Sequence, residues 1–324
     1  MEKLNRALVL GSSGFIGHHL VRYLRANGWH VVGIDITPCI FQNAQPDEFH
    51  QLDLTLQASW HYIQLANFTR IYQLAADMGG AGYVFSGDHD ANIMLQSSLI
   101  NLNLLQRIQT VKDFKGVLFY SSSACVYPAR NQVDPLNPYC EEESAYPAEP
   151  DSEYGWEKLY SERLYQSFAR NSGLEVRIAR FHNIYGPECD YNSGREKAPA
   201  AICRKVHEAK DSQQLEIWGD GSQTRTFLYI QDCLEALELL MNSNYSDPIN
   251  IGSSELITIL SLAKMAQSFE GTSAQIKFVN GPVGVAGRSS SNLIAKNMLK
   301  WEPKTSINAG LEILYQWIKS DMQY

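Results

Sequence analysis

The sequence predicts an α/β chain: a doubly wound parallel sheet with a smaller lobe towards the C-terminus. Three observations predict it. Short apolar runs alternate with stretches of helical spacing from the start, as βαβ units require. A glycine-rich turn, Gly11-Ser12-Ser13-Gly14-Phe15-Ile16-Gly17, joins the first run to the first helix. The chain has 324 residues, more than one small core needs, and the regular alternation loosens after Tyr185-Gly186-Pro187.

The elements follow in order. Arg6 to Leu10 reads as the first strand. Phe15 to Asn27 reads as a helix because Phe15, Ile16, Leu20, Tyr23 and Leu24 share a face. His30 to Ile34 is β-branched and stops at Asp35. Ile71 to Leu74 and Val117 to Tyr120 are further short strands, with a long helical stripe from Ile93 to Val111 between them. Proline and glycine thicken from Pro128 to Pro150, which predicts a long loop. A helix over Glu153 to Arg170 and a strand over Val176 to Arg180 come next. Beyond them lie a helix near Ala198 to Ala209, short strands and a terminal helix near Ile307 to Lys319.

Composition narrows the function classes. The net charge of -8 lacks the basic footprint that grips a phosphate backbone, so nucleic acid is not the expected partner. Local cations can still hold one small anionic substrate. Ala7-Leu8-Val9-Leu10 is too short for a signal-peptide core. No apolar stretch approaches the roughly 18 residues of a membrane helix. The expectation is a cytoplasmic chain. Its six cysteines (Cys39, Cys125, Cys140, Cys189, Cys203 and Cys233) form no CxxC pair, so no metal site is expected and the thiols are expected to be reduced.

Two motifs carry chemistry. Gly11, Gly14 and Gly17, with Phe15 and Ile16, form a GxxGxxG turn that lets backbone approach a pyrophosphate at a helix N-terminus. Asp35 ends the second strand, where a carboxylate binds a ribose and repels a 2′-phosphate, which favours NAD over NADP. Asp53 either faces the adenine or caps a helix. This context makes the sheet Rossmann-type. Tyr154 and Lys158 stand four residues apart and share a helix face. A nearby ammonium favours the phenolate, so the expectation is a tyrosine pKa drawn down towards working pH. Such a tyrosine can take a proton from a sugar hydroxyl while hydride leaves for NAD. Ser123, at the end of Tyr120-Ser121-Ser122-Ser123, can hydrogen-bond the same hydroxyl or be satisfied by backbone.

With these motifs in place the chain resembles the extended short-chain dehydrogenase/reductases that modify nucleotide sugars. Longer strings resemble the GDP-mannose 3,5-epimerase family within them. They are Leu74-Ala75-Ala76-Asp77-Met78-Gly79-Gly80, Ser122-Ser123-Ala124-Cys125-Val126-Tyr127-Pro128, Arg180-Phe181-His182-Asn183-Ile184-Tyr185-Gly186-Pro187, Gly194-Arg195-Glu196-Lys197-Ala198-Pro199 and Trp218-Gly219-Asp220-Gly221. The resemblance implies that NAD oxidises the sugar at C4 and that the ketone acidifies the hydrogens on C3 and C5. A cysteine and a lysine then exchange protons on opposite faces. Those roles fall on Cys125 and Lys197. Substrate contacts are implied at Gly79, Gly80, Ser123, Ala124, Cys125, Asn183, Glu196, Lys197, Ala198, Lys205, Gln223, Arg225 and Arg288. The implied division is residues 1–182 for NAD, with a returning segment near 227–252, and 183–324 mainly for substrate. A homodimer through the helices near Ile93 to Val111 and Ser152 to Arg170 is implied as well. The chain departs from the family pattern at Phe85 to Asp90, where residues are added, and at Ser193 and Ser291. The rival readings are a nucleotide-sugar 4-epimerase and, from another class, a non-catalytic NAD-binding sensor.

Overall fold

The computed structural model describes residues 5–112 and 114–323, with backbone alone at 211 and 212. Seven strands form one parallel sheet. They are β1 (Arg6–Leu10), β2 (His30–Asp35), β3 (Glu48–Gln51), β4 (Arg70–Gln73), β5 (Val117–Ser123), β6 (Glu175–Phe181) and the returning strand Ile249–Ile251. Their order is Ile249–Ile251, β6, β5, β4, β1, β2, β3. Val9 pairs with Gly33 on one side and Tyr72 on the other. The order reverses between β1 and β4, so the crevice outside their C-terminal ends is the switch point where such sheets bind ligands.

The interior strands are apolar without alternation because helices cover both faces. Ala7, Leu8, Val9 and Leu10 are all fully buried. On one face Leu20 and Leu24 of the first helix (Phe15–Ala26) pack with Leu237 and Leu240 of the helix Ile230–Asn242. On the other, Leu104 and Ile108 of the helix Asp90–Gln109 pack with Tyr165 of the helix Glu153–Ser172. A separate cluster fills the lobe, where Val206, Leu262, Leu311, Leu314 and Tyr315 meet. Short lobe strands set the cations: Thr224–Arg225 pairs with Ile257–Thr258 and with Gly287–Arg288.

The sequence pattern foresaw the main elements, with shifts at their ends. The helix expected from Ile93 begins at Asp90, ahead of its apolar stripe. The helix from Glu153 starts on Ser152, whose hydroxyl accepts from Gly155 N at 3.2 Å, and ends at Gly173 in the left-handed region, φ 68°. β3 went unread because Glu48-Phe49-His50-Gln51 is an edge strand with no apolar alternation. Among the described residues no helix is long and apolar enough to cross a membrane.

One contact ties lobe to sheet. Glu188, at φ 62°, follows the Tyr185-Gly186-Pro187 turn and meets the first helix. Arg22 Nη2 donates to its carboxylate at 2.7 Å, and His18 Nε2 lies 3.1 Å from the same oxygen. His19 Nε2 donates to Pro187 O at 3.0 Å. His18, His19 and Glu188 stand close enough to share a metal ion. The Arg22 guanidinium already neutralises the carboxylate there.

Candidate active site

The glycine turn is shaped for an anion. Gly11 sits at φ +81°, and a Cβ on it would lie 2.8 Å from Ala75 N. A Cβ on Gly17 would lie 1.9 Å from Gly11 O, so helix and turn touch backbone to backbone. Gly14 differs: a Cβ there meets only Gly11 O, at 3.5 Å, and its outer side is open. It is the N-cap of the helix that starts with Phe15 and Ile16, it offers no side chain, and the first turn carries no acid. The free N–H groups of that turn therefore face outward with the positive end of the helix dipole. Asp35 accepts from Ser13 N at 3.0 Å and Thr37 N at 3.2 Å, which fastens its carboxylate between the turn and the end of β2. These residues fit NAD, with pyrophosphate at the turn and a ribose at Asp35. Asp53 is not a helix cap. It accepts from Thr55 N at 2.9 Å and shapes a turn, while Leu56 holds the N-cap position of the next short helix.

Tyr154 and Lys158, on the helix Glu153–Ser172, stand against the end of β5. Tyr154 is 8% and Lys158 2% exposed. Lys158 Nζ donates to Ser121 O at 3.0 Å and lies 5.6 Å from the centre of the Tyr154 ring. The expected lowering of the tyrosine pKa is not what the structure has. Burial pushes the phenol well above its ordinary range, with Cys125 and Glu157 adding to the rise, and Ser123 only partly opposes them. Burial also lowers Lys158. Desolvation is the largest cause in both groups.

Cys125 lies one turn beyond Ser123, whose hydroxyl accepts from Cys125 N at 3.2 Å. Ser123 is thus engaged by backbone and also bears on Tyr154. A Cβ on Gly155 would lie 2.1 Å from Cys125 O, so the Ala124–Val126 turn rests directly on the helix Glu153–Ser172. Ala124 is buried within that turn. Arg288 Nη1 donates to Cys125 Sγ at 3.1 Å, its Nε donates to Gln132 Oε1 at 2.6 Å, and its Nη2 is paired with Asp151. All three donor groups of Arg288 are engaged inside the protein, next to the thiol. Lys197 is the N-cap residue of the helix Ala198–Ser212, an unfavourable end for a cation. Burial lowers its pKa, and Cys125 is the first charge that opposes this.

Each of the remaining expected contacts has partners of its own. Gly80 N donates to Arg195 O at 2.7 Å, and a Cβ on Gly80 would lie 2.1 Å from Glu196 O. Gly79 packs on Tyr83 in the same way. Glu196 accepts from Gly194 N at 2.6 Å, and Ala198 opens the helix beside it. Asn183 is held at φ 45° and donates to Thr226 O at 2.9 Å. Lys205 donates to Glu216 O at 3.2 Å, and Gln223 to Trp218 O at 3.1 Å. Arg225 donates to Val283 O at 2.9 Å, and burial together with Arg288 lowers its pKa to about 10. Asp151 and Gln132 hold Arg288, while Tyr83 packs in the cluster of Tyr154 and holds Arg195. Arg195 stood in a family string without a role of its own, and no motif flagged the other three. Asp151 stood just ahead of a helix cap, where an acid reads as a cap residue.

The geometry can be set beside known proteins. Residues 7–252 match the NAD dependent epimerase/dehydratase family. GDP-mannose 3,5-epimerase from Arabidopsis thaliana is 40% identical over 97% of this chain and 82% of its own. UDP-glucuronic acid decarboxylase 4 from Arabidopsis thaliana is 30% identical over 97% of this chain and 68% of its own. UDP-glucose 4-epimerase from Thermotoga maritima, solved with UDP-glucose, matches with a TM-score of 0.83 at 24% identity, covering 98% of this chain and 99% of that one. UDP-glucuronic acid 4-epimerase from Bacillus cereus, solved with UDP-glucuronic acid and NAD, matches with a TM-score of 0.78 at 26% identity, covering 97% of this chain and 99% of that one. On these grounds, and on the glycine turn and tyrosine–lysine pair it carries, the chain belongs to the NAD dependent epimerase/dehydratase family.

Proposed function

We propose that the chain is an isomerase that inverts GDP-mannose at C3, C5 or both, through a ketone made transiently at C4, to give GDP-L-galactose or GDP-L-gulose. The observation that carries this reading is a thiol and a buried lysine, Cys125 and Lys197, near each other beyond the tyrosine–lysine pair. Cys125 packs against the cluster that holds Tyr154, and it is near enough to Lys197 to oppose the lowering that burial causes there. Tyr154 and Lys158 alone suffice to make and unmake a ketone, so a 4-epimerase needs no such second pair. The 40% identity to the Arabidopsis thaliana enzyme supports the same choice.

NAD, when bound, supplies the acceptor and later the donor of the C4 hydride. The chain does the rest. Tyr154 takes the C4 hydroxyl proton, with Ser123 beside it and Lys158 supplying positive charge. One member of the Cys125–Lys197 pair then accepts a carbon-bound proton, and the other returns one to the opposite face. Burial of Lys197 eases release of its proton. The proposed substrate contacts are Gly79, Gly80, Asn183, Glu196, Lys205, Gln223, Arg225 and Arg288. A two-part division at about residue 182 follows, the first part for NAD and the second for the sugar nucleotide.

Turnover of GDP-mannose in deuterated water tests the reading. Deuterium at C3 or C5 of the product supports it. A C4-inverted product with no deuterium on carbon would make the chain a 4-epimerase instead, and no turnover with NAD bound would favour a sensor. A homodimer is part of the proposal. Leu95 and Leu102 on one helix are 55% and 38% exposed, and Trp156 and Tyr160 on its neighbour are 42% and 49% exposed. Sedimentation equilibrium should find a dimer that Leu102→Arg with Trp156→Arg converts to a monomer, and a monomeric parent chain would remove this part. A cytoplasmic setting suits six thiols that are all free.

A further inference from the structure

Tyr83 lies outside every motif that pointed to chemistry, yet three parts of the site meet on it. It is 7% exposed and packs in one apolar cluster with Tyr154, Val84 and Ile93, with Cys125 and Phe85 against it. One contact is a stack on His89, with ring centroids 4.0 Å apart at 16°. Another is the Arg195 guanidinium, whose carbon lies 3.9 Å from the Tyr83 ring centre. The Tyr83 hydroxyl donates to Asp77 Oδ1 at 2.9 Å and accepts from Arg195 Nη2 at 2.9 Å. Arg195 Nη1 reaches the same Asp77 oxygen at 3.0 Å, which closes a triangle of side chains.

The triangle bears on Lys197 through the backbone. Gly80 N holds Arg195 O, and Gly80 has no room for a side chain against Glu196 O. Lys197 follows two residues after Arg195 and opens its helix with no side-chain cap bond. Its place is therefore set by the segment before it. That segment is held on one side by Gly80 and the Tyr83 triangle, and on the other by the ion pair of Glu196 with Arg204, at 3.7 Å. Arg195 is 49% exposed, so its charge alone contributes little. The planar fork matters more, because it binds a hydroxyl and a carboxylate together.

We propose that Tyr83, with Arg195 and Asp77, is the positioning residue that holds Lys197 at a fixed distance from Tyr154 and Cys125. The proposal rests on the reading of Lys197 as a proton-handling group. It predicts that the clasp can be loosened without harming ketone formation, because Tyr154, Lys158 and Ser123 are held by other contacts. Tyr83→Phe keeps the ring and removes the hydroxyl. Arg195→Lys keeps the charge and removes the fork. Each should lower the rate of deuterium incorporation at the Lys197-dependent carbon by about tenfold, the worth of one hydrogen bond of about 1.4 kcal/mol. The rate of nicotinamide reduction in a single turnover and the KM should stay within about twofold.

The Lys197-dependent carbon is the one at which Lys197→Ala loses exchange. If Lys197→Ala keeps exchange at both carbons, the functional reading fails and takes this proposal with it. If Lys197→Ala loses exchange but both clasp variants keep the parent rate, the clasp alone is overturned. Equal slowing of nicotinamide reduction and exchange would mean a general structural role and would overturn it too. Should Tyr83→Phe fail to fold by circular dichroism, Arg195→Lys carries the same comparison.

Discussion

At the scale of the residue, the site is a set of groups removed from water. Tyr154, Lys158 and Lys197 are all shifted by desolvation away from their charged forms. Tyr154→Phe should abolish both nicotinamide reduction and deuterium exchange, since no proton acceptor remains for the C4 hydroxyl; absorbance and mass spectrometry read the two losses. Cys125→Ala should keep bound NAD and ketone formation while epimerisation falls at least about a hundredfold. An active Cys125→Ala protein would end the role given to that thiol. Buried histidines impose a pH dependence on stability. Burial lowers His182 to about 3 and His18 to about 4. The unfolded chain then binds more protons than the folded one below about pH 6.5, so stability is complete above that value and is lost as pH falls towards the folded values. Each such group gives a slope of about 1.4 kcal/mol per pH unit, and urea unfolding between about pH 4.5 and 7 should follow it. His182→Gln should reduce that slope. The residues proposed to react were legible in the sequence because YxxxK, Ser-Ala-Cys and Arg-Glu-Lys are contiguous strings. Asp151, Gln132 and Tyr83 were not, since their side-chain partners, Arg288 for the first two and Arg195 for the third, lie far along the chain. The phenol's displacement was misread because sequence shows the neighbouring cation and hides the burial.

At the scale of the element, one polar knot holds the helix that carries Tyr154 and Lys158. Asn101 donates to Glu157 Oε1 and Ser161 Oγ, both at 3.0 Å, and accepts from Gln73 and Tyr165, both at 2.9 Å. It joins β4, the helix Asp90–Gln109 and the helix Glu153–Ser172 inside an otherwise apolar layer. Asn101→Ala should cost about 2–4 kcal/mol, because several buried partners lose a bond at once. Chemical denaturation at neutral pH checks this, and a cost under about 0.5 kcal/mol would show the knot to be slack. Elements with a strong period, such as β1 and the first helix, were legible from spacing. β3 was not, because an exposed edge strand needs no apolar face.

At the scale of the whole molecule, the two halves are interwoven. The cluster under β1 and β5 includes Leu228, Leu237, Leu240, Ile249 and Ile251, all from beyond residue 227. A fragment ending at residue 182 would expose that face, so it should not fold alone; circular dichroism and limited proteolysis of the fragment would show this. A stable, NAD-binding fragment would contradict it. The doubly wound architecture was legible from alternation, but the return of a late strand to the sheet edge was only outlined. Nothing local in Ile249-Asn250-Ile251 says that it pairs with β6.

Glu188 has a consequence at this scale. The helix that offers its N-terminus to the pyrophosphate also reaches, through His18, His19 and Arg22, to the first turn of the lobe. Loading of the dinucleotide and seating of the lobe therefore share a lever. By reciprocity, whatever one gains from the other is returned in equal measure. Glu188→Gln should weaken dinucleotide affinity from outside the pocket, and added dinucleotide should slow amide hydrogen exchange at Tyr185 to Cys189.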